Sequence, residues 1–152
     1  MRWRPRTDAR TERGAAAVEF ALVMPILVLV LVGIVNFGFV LAQQISLNSA
    51  ARQAARYAVV DGPVCSQIET EGKSSAATIG MSASQVPTPV ISFCPAGSTT
   101  VRPCSGRPAN TNITVTITRT GASNPWAIDF PPFNLLAPPT LSGTGVMRCE
   151  FS

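Results

Sequence analysis

Glu19 is the only charged side chain between Ala15 and Ala42. A charge inside hydrocarbon costs a few kcal/mol by insertion scales, so a carboxylate held in an apolar helix calls for a partner. The other residues able to do chemistry are four cysteines, Cys65, Cys94, Cys104 and Cys149, all downstream of that helix. The chain has no histidine, which excludes histidine-dependent catalysis and leaves only a four-thiolate zinc site at irregular spacing. Two disulfides in an oxidising compartment are therefore the expectation. The acids Asp61, Glu69, Glu71, Asp129 and Glu150 are scattered as solvated surface groups are, with no nucleophile and base converging on them. Neither an enzymatic role nor a metal or other cofactor is implied.

The elements that position these residues begin with charge. The 152-residue chain carries a formal net charge of +4, which suits one small domain and a membrane segment. Most of that charge sits in front, where Arg2, Arg4, Arg6, Arg10 and Arg13 outweigh Asp8 and Glu12. A basic head before an apolar run follows the positive-inside rule: residues 1–14 are a cytoplasmic leader and the C-terminal bulk lies across the membrane. Because the basic excess is concentrated in this leader, nucleic-acid binding is not expected. Residues 15–42 as a helix would span about 42 Å, more than the roughly 30 Å of a bilayer core. That run is longer than the roughly 7–15 apolar residues of a secretory signal peptide. Val40-Leu41-Ala42 nevertheless resembles a small-residue cleavage site ahead of Gln43, and keeps a processed secreted protein as an alternative.

The helical period outlasts the apolar run. Leu47, Ala51, Ala54 and Ala58 form one stripe, while Gln44, Asn48, Arg52 and Arg56 recur at i+4 on another. One helix over residues 15–60 follows, its last third outside the bilayer, ended by Asp61-Gly62-Pro63. Pro25 predicts a kink or unwound turn over 21–25. Gly33 and Gly38 bracket Asn36, offering close approach to a second helix and an amide to bond across it.

Residues 61–152 read as a head domain outside the cytoplasm. A broken helix is expected up to Ser82; Gly72-Lys73-Ser74 within it lacks the first glycine of a phosphate loop and supports no nucleotide site. Strand patterns follow at 89–94, 112–119 and 140–151, with Ile113, Val115 and Ile117 alternating against threonines, and Leu141, Met147, Cys149 and Phe151 sharing a parity. The linkers 96–111 and 124–140 read as loops. The second carries Trp126, Phe130, Phe133, Leu135 and Leu136, apolar enough to fold back over the sheet or to contact a partner. The fold class is thus α+β: a long, partly transmembrane helix, then a small disulfide-stapled antiparallel sheet. Three disulfide connectivities are open; the layout favours Cys94 with Cys104 around the loop and Cys65 with Cys149 between the second helix and the last strand.

Gly14, the run Ala15-Ala16-Ala17-Val18, and Glu19-Phe20 together resemble the processing site of type IV prepilins and pseudopilins. With VMP at 23–25, GIVNFGF at 33–39 and NSAARQAARYA at 48–58, they resemble the TadE family of pilin-like proteins from tight-adherence (Flp) pilus systems. Asn36 stands where that family often has an acid, and Phe20 where the major Flp pilins have tyrosine.

The resemblance implies a pilin-like fold and a bacterial inner-membrane protein with one span and its head outside the cytoplasm. It implies cleavage by a prepilin peptidase between Gly14 and Ala15, which frees an amine four residues from Glu19. It further implies helix-borne partners: the major pilin and other pseudopilins through the region of Glu19, Phe20, Pro25, Gly33, Asn36 and Gly38, the inner-membrane assembly platform, and membrane lipid. The competing class is a single-pass or signal-peptide-processed envelope protein whose head binds something unrelated to pili.

Overall fold

A computed structural model describes residues 9–60, 62–77, 81–120 and 139–150. The first helix, α1, runs Ala9–Ala58 without interruption. It starts before the expected residue 15, since Ala, Arg and Glu between 9 and 13 are all good helix formers. It also passes through Pro25 with helical backbone on both sides, so the unwound turn expected at 21–25 is not present. The chain divides into two compact units, residues 1–37 and 38–152, and α1 contributes to both.

In the first unit every described residue from Gly14 to Leu31 is exposed. The second unit is the head, and α1 supplies much of its core. Leu47, Ala50, Ala51, Ala54 and Ala55 are fully buried and Ala58 is 2% exposed, as the apolar stripe predicts. A second helix, α2, spans Cys65–Ser75. It buries Cys65, Ile68, Glu69 and Gly72, the i, i+3, i+4, i+7 face of a helix packed on one side. Its first two N–H groups are satisfied from outside, Cys65 N–H donating to Val101 O and Ser66 N–H to Ser98 O, while the Gln67 side chain reaches back to accept from the Val64 N–H just before the helix. It stops earlier than Ser82, where Ser74 Oγ donates to Glu71 O and Ser75 Oγ to Glu71 Oε1, local bonds that compete with helix continuation. Gly72 is buried in α2 against Pro89 and Ala54, so the Gly-Lys-Ser sequence is no loop.

After a single 3-10 turn at Ala83–Gln85 come β1 (Val90–Ile91), β2 (Asn112–Arg119) and β3 (Leu141–Arg148), an antiparallel sheet in the order β1-β2-β3. β1 is shorter than the expected 89–94, because the chain turns at Phe93, whose φ is 65°, and Cys94 N–H donates back to Ile91 O. In β2, Ile113, Val115 and Ile117 are fully buried and the threonines face outward. The expected parity of β3 holds over its described residues, with Leu141 and Cys149 buried and Met147 half-buried. The core forms two clusters: Leu47, Ala50 and Ala51 with Met81, Val86, Ile117 and Leu141; and Ala54, Ala55 and Ala58 with Ile68, Ile91, Ile113, Val115 and Cys149. The loop of Trp126, Phe130, Phe133, Leu135 and Leu136 lies outside the described residues, as do Asp61, Asp129 and Phe151.

All four cysteines are bonded, but the favoured pairing is corrected: the bridges are Cys65–Cys94 and Cys104–Cys149. Loop length did not discriminate, because closure entropy rises only slowly with it. Position decided. The bonds from Cys65 and Ser66 to Val101 and Ser98 hold the start of α2 beside the segment after β1, where Cys94 lies. Cys149 leaves β3 bonded to Thr111 and Asn110, beside the turn that holds Cys104. The bridges close separate stretches of 29 and 45 residues. Replacing either pair by serine is expected to cost about 3–4 kcal/mol, seen as an earlier unfolding midpoint in urea. Losses well below 1 kcal/mol would mean the bridges do not constrain the unfolded head.

Candidate functional site

The candidate site is α1 itself. Gly14 and Ala15 lie in continuous helix, and Glu19 stands one turn beyond Ala15 on the same side. All three are exposed, and a Cβ placed on Gly14 would meet nothing within 4 Å. Glu19 makes no ion pair among the described residues. Around and beyond it Val18, Phe20, Leu22, Ile26, Ile34 and Phe37 each keep 62–69% of their surface. Apolar side chains exposed on all sides of one helix suit lipid or neighbouring helices, not water. Gly33 and Gly38 likewise have empty space where a side chain would stand, and the half-exposed Asn36 amide has no hydrogen-bond partner among the described residues. Pro25 is exposed in mid-helix. The structure thus places Gly14, Ala15, Glu19, Phe20, Pro25, Gly33, Asn36 and Gly38 on a single helix with open surroundings. The cysteines sit apart from them, in the head.

From Gly38 onward the helix belongs to the head, and the seating is close. The two buried-side glycines of β3, Gly143 and Gly145, press directly on the backbone of α1. A Cβ on Gly143 would fall inside the van der Waals radius of the Leu47 carbonyl and 2.7 Å from Asn48 N; on Gly145 it would do the same to the Ala51 carbonyl and to Arg52 N, again at 2.7 Å. At both points α1 presents the backbone of Leu47 and Ala51 and β3 a glycine, so no side chain of β3 holds the two elements apart there. Sequence reading named the larger residues of β3 and missed the glycines. The signal was available, since Gly-x-Gly on the apolar parity of a strand marks a place where another backbone comes close.

Two further buried groups were missed. Arg119, 1% exposed at the end of β2, donates from Nη1 to Oε1 of fully buried Gln43 at 3.5 Å, and burial pushes its pKa down. It continues the odd-numbered parity of Ile113, Val115 and Ile117, which foretold an inward side chain. Glu69 corrects the expectation of scattered, solvated acids: it is 8% exposed, and its Oε1 accepts the Gly97 N–H at 2.8 Å. Its inward position follows from the helix face it shares with Cys65, Ile68 and Gly72. Glu71, half-buried, accepts from Gln53 Nε2 at 3.2 Å and from Ser75 Oγ at 3.0 Å. Both carboxylates tie parts of the head together.

α1 is the one described helix long and apolar enough to cross a membrane, with a mean hydropathy of 2.8 in its most apolar window and none of that window buried. This indicates a membrane-anchored protein. No curated protein and no solved structure matches the chain. The model of one protein family does, over residues 14–56. Its bounds begin at the candidate cleavage glycine and end within the alanine stripe that seats α1 in the head. Through this segment the chain matches the TadE-like protein family, as the residues from Gly14 to Ala58 suggested.

Proposed function

We propose that the protein is a minor pseudopilin-like component of a tight-adherence (Flp/Tad) pilus or secretion system, cut after Gly14 by a prepilin peptidase and acting in pilus assembly or initiation. The observation that carries this reading is a carboxylate at Glu19 in the apolar stretch of α1 that is exposed from Gly14 to Leu31, one turn from the residue that cleavage would make the N-terminus. The new amine of Ala15, on the same subunit or the one beneath it, neutralises Glu19 within a bundle of such helices and favours one axial register. The major pilin and other pseudopilins would pack on the exposed apolar surface, with Gly33, Asn36 and Gly38 at the close approaches. The inner-membrane platform would hold the chain before assembly, its head outside the cytoplasm. The proposed role is structural, with no catalytic step.

A head set free by cleavage before Gln43 is less well supported. Gln43 is fully buried beside Arg119, so a terminal ammonium there would face a guanidinium in a poorly solvated place.

The discriminating variant is Glu19→Ala. It is expected to be processed as the parent is, yet to be absent from sheared pili and to abolish or strongly reduce piliation. Processing is followed by the mass of the mature chain and assembly by electron microscopy and immunoblot of the sheared fraction. Normal piliation in that variant rejects the role given to Glu19.

A further inference from the structure

Among the described residues β3 is an edge strand, pairing with β2 alone. Which of its backbone groups are spare follows from the antiparallel ladder, in which successive residues turn their N–H and C=O to opposite sides. Cys149 donates its N–H to Thr111 O and accepts from Asn110 N–H, so the odd-numbered positions face β2. Ser142, Thr144, Val146 and Arg148 therefore direct theirs away from the sheet. Gln44 of α1 marks the same direction by donating Nε2–H to Ser142 O at 2.8 Å. Beyond Ser142 no described residue pairs with this edge. Thr144, Val146 and Arg148 are exposed, and their outward backbone groups have no partner among the described residues.

Exposed edges are usually blunted by proline, a bulge, a lysine or a covering loop. β3 contains no proline and no lysine, and its eight residues pair with β2 one for one without a bulge.

α1 supplies charge along this edge. Gly143 lies against Leu47 and Asn48, and Gly145 against Ala51 and Arg52. Four residues of helix, about 6.0 Å, thus keep step with two of strand, about 6.6 Å. Arg52 stands level with Gly145, two residues of strand beyond the position that Asn48 holds at Gly143, and Arg56 follows one turn further along α1. Arg52, Arg56 and Arg148 are exposed, and none makes an ion pair among the described residues. Glu150, past the end of β3, is the nearest described acid in sequence and leaves the edge cationic.

We propose that the free edge of β3 takes an extended acidic segment of a partner protein as a fourth strand. The open ladder selects an extended backbone, and the arginines at its far end select carboxylates, which guanidinium groups bind bidentately. The surface lies wholly within residues 38–152, so it stands or falls independently of processing at Gly14.

The test is an anisotropy titration of a fluorescein-labelled heptapeptide alternating glutamate and valine, against the full chain in a neutral detergent at low salt. Binding is expected, with a dissociation constant at least about tenfold weaker for the lysine counterpart of the peptide and for the R52E/R56E chain. Val146→Pro removes one outward N–H without touching the β2 ladder, and is expected to weaken the glutamate peptide by a similar factor. Circular dichroism confirms that both variants fold. Three results overturn the proposal: no binding of the glutamate peptide, equal binding of the lysine peptide, or full binding to Val146→Pro, which would mean charge attraction without strand addition. Self-association that Val146→Pro abolishes, in the absence of peptide binding, would overturn it in favour of a second copy.

Discussion

Gly14→Leu is expected to leave the chain at full length in cells where the parent is shortened by fourteen residues, an all-or-none difference on a gel and in the intact mass. The substitution separates recognition from folding. Gly14 is exposed, nothing lies within 4 Å of its missing Cβ, and the backbone there is helical, so leucine adds up to about 1 kcal/mol of helix propensity and disturbs no contact. A block would therefore report on the peptidase, which must accept the residue before the scissile bond, and not on a damaged substrate. Should Gly14→Leu be shortened like the parent, cleavage after Gly14 is wrong and the helix is a plain anchor. A mature N-terminus at Gln43 would instead identify a secreted head.

Gly145→Val is expected to have the largest effect on the head. The strand and the helix touch through backbone at this point, so neither can yield by rotating a side chain. A Cβ would sit 2.7 Å from Arg52 N and closer still to the Ala51 carbonyl, and the branched methyls would add to the clash. α1 and β3 would have to separate, opening the contacts that bury Ala51, Ala54 and Ala55. Overpacking of a tight core costs about 1–3 kcal/mol and more where backbone must move, so a loss of about 3 kcal/mol or greater is expected. That is a large share of the 5–15 kcal/mol that holds a typical domain. The measurement is the urea midpoint of the head by circular dichroism, with Thr144→Val, one residue away and outward-facing, as a control expected within about 0.5 kcal/mol of the parent. Equal midpoints for the two variants would show that the helix does not rest on the strand at Gly145.

Much of this molecule was legible in the chain, and what was legible had a local cause. The apolar run from Ala15 to Ala42, broken by charge only at Glu19, leaves no fold but a helix in a medium without water, because every backbone group must be bonded within the segment. The alanine stripe at helical spacing and the Ile-Val-Ile alternation of β2 each name a buried face, since the period of the backbone alone decides which side chains share a side. The candidate processing residues, Gly14 to Phe20, are likewise contiguous, and need no fold to be recognised.

What the chain alone left open were the relations between distant residues. The disulfide partners depended on the bonds that carry Val101 to the start of α2 and Cys149 to Thr111, and no spacing rule contains those bonds. Glu69 looked like any surface acid until the turn at Gly97 was laid against α2. Pro25 looked like a kink or an unwound turn, and the backbone stays helical on both sides of it. Only the tertiary structure showed that the helix is seated on the glycines of β3. Periodicity fixes which face of an element turns inward; what meets that face is set by packing between segments a hundred residues apart, where backbone contact, not residue type, is the deciding term.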